Sequence, residues 1–454
     1  MKWKGAHRVT RALERRESVD YVIRERTFSG TRDEVVLQLD ELIESLLGFR
    51  KQLLERPTRH AAPRTASRRR PSRRKATVTA AIVLVCLLAP LNVAAQAQPA
   101  ADPWRNIKFG AAFEGYYQYN WNTPPDRVVP LRAYDTRCNT FGIQQVALVI
   151  DAASDVDAGR RYGLRADLQF GQATETVQGS PANEPRPDVY RHIWQAYGTY
   201  VFPVGPNGLQ TDFGKFGSML GYETNYAKDN QAFSRAYLFN FLPFYHSGLR
   251  VTYPANQKVS LLYMLTNGIQ QTEDFNDFKS NHFAAIVKPS SALTWTVNYY
   301  FGQEQPDGGE PGGPDGFFRV FDTYVTVAPT SAITLGADVN YVTNEVNSED
   351  QALSLQGIGA YARGQLTPAT AAGVRYERLD DEGLFGGIDQ LLQEVTLTAE
   401  YKFAEGFLAR LEFRRDWSDT PFFPGRDGAT DVRTHQNTLL IGGIWTIGNK
   451  TGTW

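Results

Sequence analysis

From residue 107 onward, apolar and polar residues alternate along runs of about ten residues, and a turn signal follows each run. In one run Phe407, Leu411 and Phe413 hold apolar positions, while Arg410 and Glu412 hold polar ones. Successive side chains of a β-strand point to opposite faces, which gives this period of two. The pattern therefore predicts an all-β chain whose strands each have one apolar and one polar face.

The runs have the length and number expected of a membrane barrel. We count about sixteen of them between residues 107 and 447, within a range of 14 to 18, and single-chain bacterial barrels have an even number of strands. The run at 316–328 alternates least regularly. Ten residues suffice for a tilted strand to cross a bilayer. A soluble β-sandwich has the same period, so alternation alone does not separate the two classes.

The connections between the runs alternate in length. Short connections such as 203–206 and 404–406 alternate with long ones such as 220–243 and 418–434. Outer-membrane barrels have short periplasmic turns and longer extracellular loops. We therefore predict a transmembrane antiparallel β-barrel with short periplasmic turns, long extracellular loops and both termini in the periplasm.

The first 97 residues do not follow this pattern. A basic run ends at Lys75, an apolar run occupies 76–91, and Ala95-Gln96-Ala97 follows. A positive flank, an apolar core and a small-residue site form a secretory signal peptide. The prediction is an N-terminal extension at 1–75 without assigned function, best explained by a misplaced start codon, a signal peptide core and cleavage region at 76–97, and a barrel at 98–454. An uncleaved signal anchor is the alternative.

Charge and cysteine content exclude several function classes for the exported part. Residues 1–75 contain 20 of the 48 Lys and Arg and 10 of the 49 Asp and Glu, so residues 98–454 carry a net charge of −11. Nucleic acid requires a basic face, and it is not an expected partner. Cys138 is alone after the signal core, which excludes an intramolecular disulfide or a thiolate metal cluster. We predict no cofactor and no metal; acidic loop clusters such as Asp380-Asp381-Glu382 are expected to be solvated.

The 220–243 loop is the connection most strongly marked for function. It is polar and aromatic-rich, with little periodicity, and it joins two predicted strands. A long connection without secondary structure of its own is usually functional. In a wide barrel it can fold into the lumen and constrict it; a surface loop packed on other loops is the alternative. The constriction candidates are Glu223, Asn225, Lys228, Asp229 and Arg235.

Sequence motifs in and around this loop resemble those of a known family. The motifs are DFGKF at 212–216, GYE at 221–223, SRAYLF at 234–239 and PFYHSGLR at 243–250. They resemble the signature of the OmpL-like β-barrel porins of the bacterial outer membrane. GYYQYNWNTP at 115–124 and MLTNGIQ at 264–270 extend the resemblance more weakly. It implies a porin that is exported to the outer membrane and passes small hydrophilic solutes by passive diffusion.

The polar phase of the strands supplies candidates for the lining of such a pore. A water-filled barrel acts through the shape and charge of its lining. The acidic and basic members are nearly balanced, which predicts weak ion selectivity. The lining candidates are Arg165, Asp167, His246, Arg250, Asp338, Arg375, Glu377, Glu400, Arg410, Glu412 and Arg414.

Two other functions stay open at this stage. The first is a structural or adhesive barrel whose loops close the lumen. The second is a barrel-embedded hydrolase, which His246-Ser247 suggests, although neighbouring residues on a strand face opposite sides and cannot pair. A plugged, gated transporter is less favoured, because no plug domain separates Ala97 from the first run. Expected partners are outer-membrane lipid, lipopolysaccharide, the barrel-assembly machinery and small hydrophilic solutes, with a homotrimer as the usual assembly of sixteen-stranded general porins.

Overall fold

The computed structural model describes residues 107–178, 184, 186–305, 315–347 and 351–454. The predicted extension, signal peptide and cleavage site lie outside these residues. Within the part of the chain that the structure describes, no helix is long and apolar enough to cross a membrane.

Sixteen antiparallel strands form one closed barrel. Strand β18 pairs with β1 and with β15, and all remaining pairs join strands that are consecutive along the chain. The barrel strands are β1 (Lys108–Asn120), β2 (Thr140–Ala152), β3 (Tyr162–Phe170), β4 (Ile193–Phe202), β5 (Leu209–Gly217), β6 (Tyr245–Pro254), β7 (Val259–Thr266), β8 (Ser280–Ser290), β9 (Leu293–Gly302), β10 (Phe318–Thr330), β11 (Ile333–Asn344), β12 (Leu353–Gln365), β13 (Thr370–Glu382), β14 (Asp389–Ala404), β15 (Phe407–Ser418) and β18 (His435–Gly448).

The remaining elements lie in the long connections. The connection after β15 contains a two-stranded hairpin, β16 (Phe423–Gly425) and β17 (Gly428–Arg433). Short helices α1 (Ala173–Gln178) and α2 (Pro187–Tyr190) follow β3, and α3 (Tyr237–Phe241) and a single 3₁₀ turn (Ala227–Asp229) lie in the 220–243 loop. The prediction of loop throughout 418–434 is wrong at this hairpin, although Asp427-Gly428 is a strong turn signal.

The prediction of a sixteen-stranded antiparallel barrel is confirmed. The irregular run expected at 316–328 is β10, shifted two residues toward the C-terminus. Short turns such as the one between β14 and β15 occupy one end of the barrel, and the long loops occupy the other. In an outer-membrane barrel these are the periplasmic and extracellular ends, respectively.

The outward face of the barrel is apolar and carries aromatic clusters near both ends. Phe141 and Ile447 are 84% and 74% exposed. Near the periplasmic end, Phe407 stacks on Trp445 with ring centroids 4.6 Å apart, and Phe113 lies 5.4 Å from the same indole. Aromatic side chains favour the membrane–water interface. The alternation in the sequence therefore places an apolar surface toward lipid.

The extracellular half of the lumen between β9 and β14 contains an apolar cluster. The upper inward positions of these strands pack against the loops. The wall contributes Tyr300, Val320, Val342, Leu355, Leu379 and Leu392, and the loops contribute Leu220, Tyr237, Leu238, Leu242, Ile269 and Phe423. Because these side chains are buried against one another, the 220–243 loop is packed inside the barrel.

Candidate functional site: the loop across the lumen

The 220–243 loop leaves the wall at the extracellular end of β5 and crosses to the strands on the far side. The backbone N–H groups of Gly221 and Tyr222 donate to the carboxylates of Asp322 on β10 and Asp338 on β11, both at 3.1 Å. Gly221 has φ +86°, a conformation that favours glycine. The first turn of the loop is thus fastened to the opposite wall.

Wall carboxylates also bind backbone N–H groups in the middle of the loop. Glu377 on β13 accepts from Tyr237 and Leu238 at 2.6 and 3.0 Å. Glu412 on β15 accepts from Phe233 and Ser234 at 2.9 and 3.2 Å. A hydrogen bond of this kind contributes about 0.5–1.5 kcal/mol.

Another wall carboxylate and a tyrosine extend the contact around the barrel. Glu114 on β1 accepts from the Ala227 N–H at 2.7 Å. The Tyr226 hydroxyl donates to Asp167 on β3 at 3.0 Å. The loop is therefore anchored to strands on several sides of the lumen.

Wall guanidinium groups bind the backbone carbonyls of the same loop. Arg410 donates to the carbonyls of Ala227, Asn230 and Ala232 at 2.7 to 2.8 Å. Arg414 donates to the Arg235 carbonyl at 2.8 Å. A loop removed from water must satisfy its backbone polar groups, and here charged wall side chains do so.

Arg375 on β13 connects this network to the side chains of the loop. It forms ion pairs with Glu223 of the loop at 2.8 Å and with Glu394 of β14 at 2.7 Å, and it donates to the Ser234 carbonyl at 2.8 Å. Burial of such a pair is favourable only when further hydrogen bonds satisfy it. The Ser234 contact supplies one of them.

Three inward-facing glycines leave room for side chains of the loop. A Cβ on Gly336 of β11 would lie 2.4 Å from the Tyr222 ring, one on Gly357 of β12 would lie 2.4 Å from Leu238, and one on Gly442 of β18 would lie 2.3 Å from the Phe233 ring. A side chain at any of these positions would displace the loop side chain that faces it. The wall therefore matches the loop in shape as well as in charge.

The lining candidates point inward, but most are buried beneath the loop. Arg165 and Asp167 pair with each other at 2.5 Å. Arg250, paired with Asp212 at 2.8 Å, and Glu400 keep partial exposure. The candidates that the structure buries are Arg165, Asp167, His246, Asp338, Arg375, Glu377, Arg410, Glu412 and Arg414. They hold or neighbour the loop.

The constriction candidates divide into two groups. Glu223, Asn225 and Arg235 are buried, and the Arg235 guanidinium donates to the carbonyls of Phe233 and Asn225, both at 2.6 Å. Lys228 and Asp229 pair with each other at 2.8 Å, beside residues that follow β18. The first group stabilises the shape of the loop, while the second lies where the loop meets another segment.

Three wall carboxylates that bind the loop are not among the predicted lining residues. Glu114, Asp322 and Asp416 are fully buried and each binds the loop; Asp416 accepts from the Tyr237 hydroxyl at 2.7 Å. Each occupies an inward position in the period-two pattern, and this phase was the signal that could have found them. Burial raises the pKa of the Tyr237 hydroxyl well above its usual value, so it stays a neutral donor to Asp416.

His246 pairs with a residue that the sequence did not suggest. Its Nδ1 lies 3.2 Å from the Gly268 carbonyl and its Nε2 lies 3.1 Å from the Ser218 hydroxyl. A carbonyl only accepts, so Nδ1 carries the proton and Nε2 accepts from Ser218. The Ser218 hydroxyl in turn accepts from the Leu220 N–H at 3.2 Å. His246 thereby braces the start of the 220–243 loop.

Lys215 of the DFGKF motif falls in the apolar phase of its strand, which predicts either a phase shift through a bulge at Gly214 or a side chain that extends to the bilayer edge. The structure shows neither. The pairing of β5 with both neighbours continues without a register shift through Gly214, so no bulge changes the phase there. Lys215 is 4% exposed, and its ammonium lies 3.8 Å from the centre of the Tyr245 ring. It does not extend to the edge of the bilayer, because a cation–π contact holds it in place.

The chain was compared with known families and proteins. Residues 106–447 match the family described as "Putative beta-barrel porin-2, OmpL-like". No curated protein sequence is similar enough to this chain to count as a relative.

Solved structures with a similar fold include bacterial outer-membrane channels. The anion-selective porin from Comamonas acidovorans has a TM-score of 0.50 at 8% identity, over 75% of this chain and 99% of that one. The outer membrane channel DcaP of Acinetobacter baumannii has a TM-score of 0.49 at 9% identity, over 75% and 97%. At these identities the likeness concerns the fold, whereas the family match covers the whole barrel. The chain belongs to the OmpL-like family of β-barrel porins of the bacterial outer membrane.

Proposed function

We propose that this porin passes small hydrophilic solutes passively through a water-filled path that the 220–243 loop constricts. The observation that carries the proposal is the anchoring of the loop to wall carboxylates on β10, β11, β13 and β15. Because the loop is held on several sides, it stays in one position, where it narrows the lumen without sealing it. The partly exposed inward residues Tyr222, Arg250, Arg363 and Glu400 are the side chains that we assign to the path.

The balanced charge of the wall supports weak ion selectivity. Arg363 and Arg410 both pair with Glu400, at 2.6 and 2.8 Å, and Arg250 pairs with Asp212. Paired charges cancel at a distance larger than their separation. The proposed path therefore discriminates mainly by size.

The test is single-channel conductance of the refolded chain from residue 98 in a planar bilayer. We expect steady conductance, and deletion within 220–243 should raise it because the obstruction is removed. An inserted barrel without any conductance, before and after the deletion, would contradict passive diffusion.

A closed structural barrel is the second candidate, and one observation favours it. The apolar cluster between β9 and β14 fills part of the extracellular mouth. Conductance that appears only after the loop deletion would favour this candidate over the open porin. A hydrolase has less support, because Ser247 faces away from His246 on β6 and the imidazole braces the loop through Ser218.

Export and assembly complete the proposal. A signal peptide at 76–97 would direct the chain to the outer membrane, where lipid and lipopolysaccharide cover the apolar outer face. The lipid-facing end of β18, with Trp445 and Ile447, is the segment that we assign to the barrel-assembly machinery, since both side chains are exposed outward. Native mass measurement in detergent distinguishes a monomer from the homotrimer usual for general porins.

A further inference from the structure

The residues that follow β18 enter the lumen. We call residues 449–454 the 449–454 strap. Gly448 ends the strand with φ +114°, and a Cβ there would lie 2.2 Å from the Phe109 carbonyl oxygen. The chain can turn inward at this point because the residue is glycine.

The first half of the strap is fixed to the periplasmic end of β1 and β2. The Asn449 side chain accepts from the Phe109 N–H at 2.6 Å, and the Lys450 N–H donates to the Phe109 carbonyl at 3.0 Å. The Lys450 ammonium pairs with Asp151 on β2 at 2.8 Å. Two hydrogen bonds to backbone groups and one ion pair thus hold the strap against the inner wall.

The second half of the strap reaches the underside of the 220–243 loop. The Trp454 N–H donates to the Asp229 carboxylate at 3.1 Å, and the Lys228 ammonium donates to the Gly452 carbonyl at 2.8 Å. The same ammonium lies 4.6 Å from the centre of the Trp454 ring. Lys228 and Asp229, which pair with each other, therefore also bind the strap.

The indole of Trp454 has a shaped position between the wall and the loop. Its ring packs edge to face on Tyr226 with centroids 5.6 Å apart. Gly110 of β1 lies under the other side of the ring, where a Cβ would be 2.7 Å from an indole carbon. The Nε1–H donates to the Lys450 carbonyl at 3.2 Å. The position of the indole is therefore fixed by its fit against Gly110, by its contact with Tyr226 and by a hydrogen bond.

We propose that the 449–454 strap is a second constriction element, which enters the lumen from the periplasmic side and fixes the 226–229 part of the 220–243 loop. The inference rests on the proposed channel function. Thr451, Gly452 and Thr453 are exposed inside the barrel mouth, so the strap itself borders the path. The strap shapes the passage by its own bulk and by holding Lys228 and Asp229 in place.

Conductance tests the effect of the strap. Truncation after Lys450 keeps the contacts with β1 and β2, and Trp454→Ala removes only the indole. Each should raise single-channel conductance, the truncation by about twofold or more, because conductance follows the free cross-section of the path. Trp295→Ala is the matched control, since this tryptophan lies on the lipid face of β9. Unchanged conductance in both strap variants would overturn the proposal.

A cross-link tests the contact itself, independently of conduction. In a Cys138→Ser background, Asp229→Cys with Thr453→Cys should join through a short bifunctional thiol reagent in the refolded barrel. Ser291→Cys with Thr453→Cys is the control, because Ser291 lies in the turn between β8 and β9, across the barrel. A folded barrel that gives no 229–453 product overturns the strap proposal whatever it conducts. A barrel that cross-links but never conducts, even when truncated, contradicts the channel function and leaves the strap as a closing segment.

Discussion

At the scale of single residues, glycines on the inner wall decide where the 220–243 loop can lie. Gly336, Gly357 and Gly442 stand in the interior of strands, where glycine is unfavourable. Each faces a side chain of the loop that occupies the space of the missing Cβ. These glycines lower the strand propensity of the wall, but they leave room for the loop.

Gly442→Ala should displace the Phe233 ring and loosen the loop. Overpacking of this kind costs about 1–3 kcal/mol of unfolding free energy. Urea unfolding, followed by the gel shift between folded and heated protein, measures the loss. Gly364→Ala is the control, because a Cβ there meets no atom within 4 Å. Equal stability of the two variants would show that Phe233 does not need the space.

Glu304, just beyond β9, is a partly buried carboxylate that holds the loop between β7 and β8. It accepts from the Ile269 N–H at 2.7 Å and from the hydroxyls of Ser280 and Tyr300 at 2.6 Å. Burial raises its pKa above the usual value, and the three hydrogen bonds oppose the rise without cancelling it. The folded state therefore binds the Glu304 proton more tightly than the unfolded state.

Stability should consequently fall as pH rises through the interval between the unfolded and folded pKa values of Glu304. Glu304→Gln removes this titration. We expect the stability of the wild type relative to Glu304→Gln to be greater at about pH 5 than at about pH 8. Urea midpoints of both proteins at the two pH values test this, and a pH-independent difference would contradict it.

At the scale of elements, charged side chains of the wall bind backbone N–H and carbonyl groups of the loop. Glu377 and Glu412 each receive two N–H groups, and Arg410 donates to three carbonyls. This arrangement needs few special side chains in the loop. It needs charged residues at inward strand positions, which the alternation of the sequence supplies.

The double variant Glu377→Ala, Glu412→Ala should free the centre of the loop. Four N–H groups would lose their acceptor, and about 0.5–1.5 kcal/mol per hydrogen bond sets the scale of the local loss. We expect larger conductance fluctuations and faster voltage-dependent closure in single-channel recordings. Asp380→Ala is the control, since Asp380 is exposed on the outer side of β13. Recordings indistinguishable from the wild type would show that other contacts suffice.

At the scale of the whole molecule, the net charge of −11 on residues 98–454 does not describe the lumen. Inside the barrel, several acidic and basic side chains are paired, as in Arg375 with Glu394 and Arg410 with Glu400. Because the charges of each pair lie close together, little of their field reaches the path. Selectivity should therefore follow pore size more than total charge.

A salt gradient tests this expectation. With about tenfold more KCl on one side, the reversal potential of the open channel should lie near zero, because paired wall charges favour neither ion. Glu400→Gln should shift it toward anion preference, since Arg363 and Arg410 would lose their shared partner. A strongly ion-selective wild type would contradict the balanced path.

The sequence by itself determined the barrel. Period-two alternation fixes which side chains face lipid, and the alternation of short and long connections fixes the antiparallel order, because both are local properties of the chain. The motifs around DFGKF pointed to the family, and the 220–243 loop was recognisable from its length and lack of periodicity.

Only the tertiary structure decided what the inward charges do. Glu377 and Arg410 looked like pore lining, but they bind a loop that lies more than a hundred residues away along the chain. The pockets at Gly442 and Gly336 and the position of Trp454 likewise depend on contacts between distant segments. Such contacts leave no periodic trace in the sequence, since they arise only when the barrel closes and brings all sixteen strands around one loop.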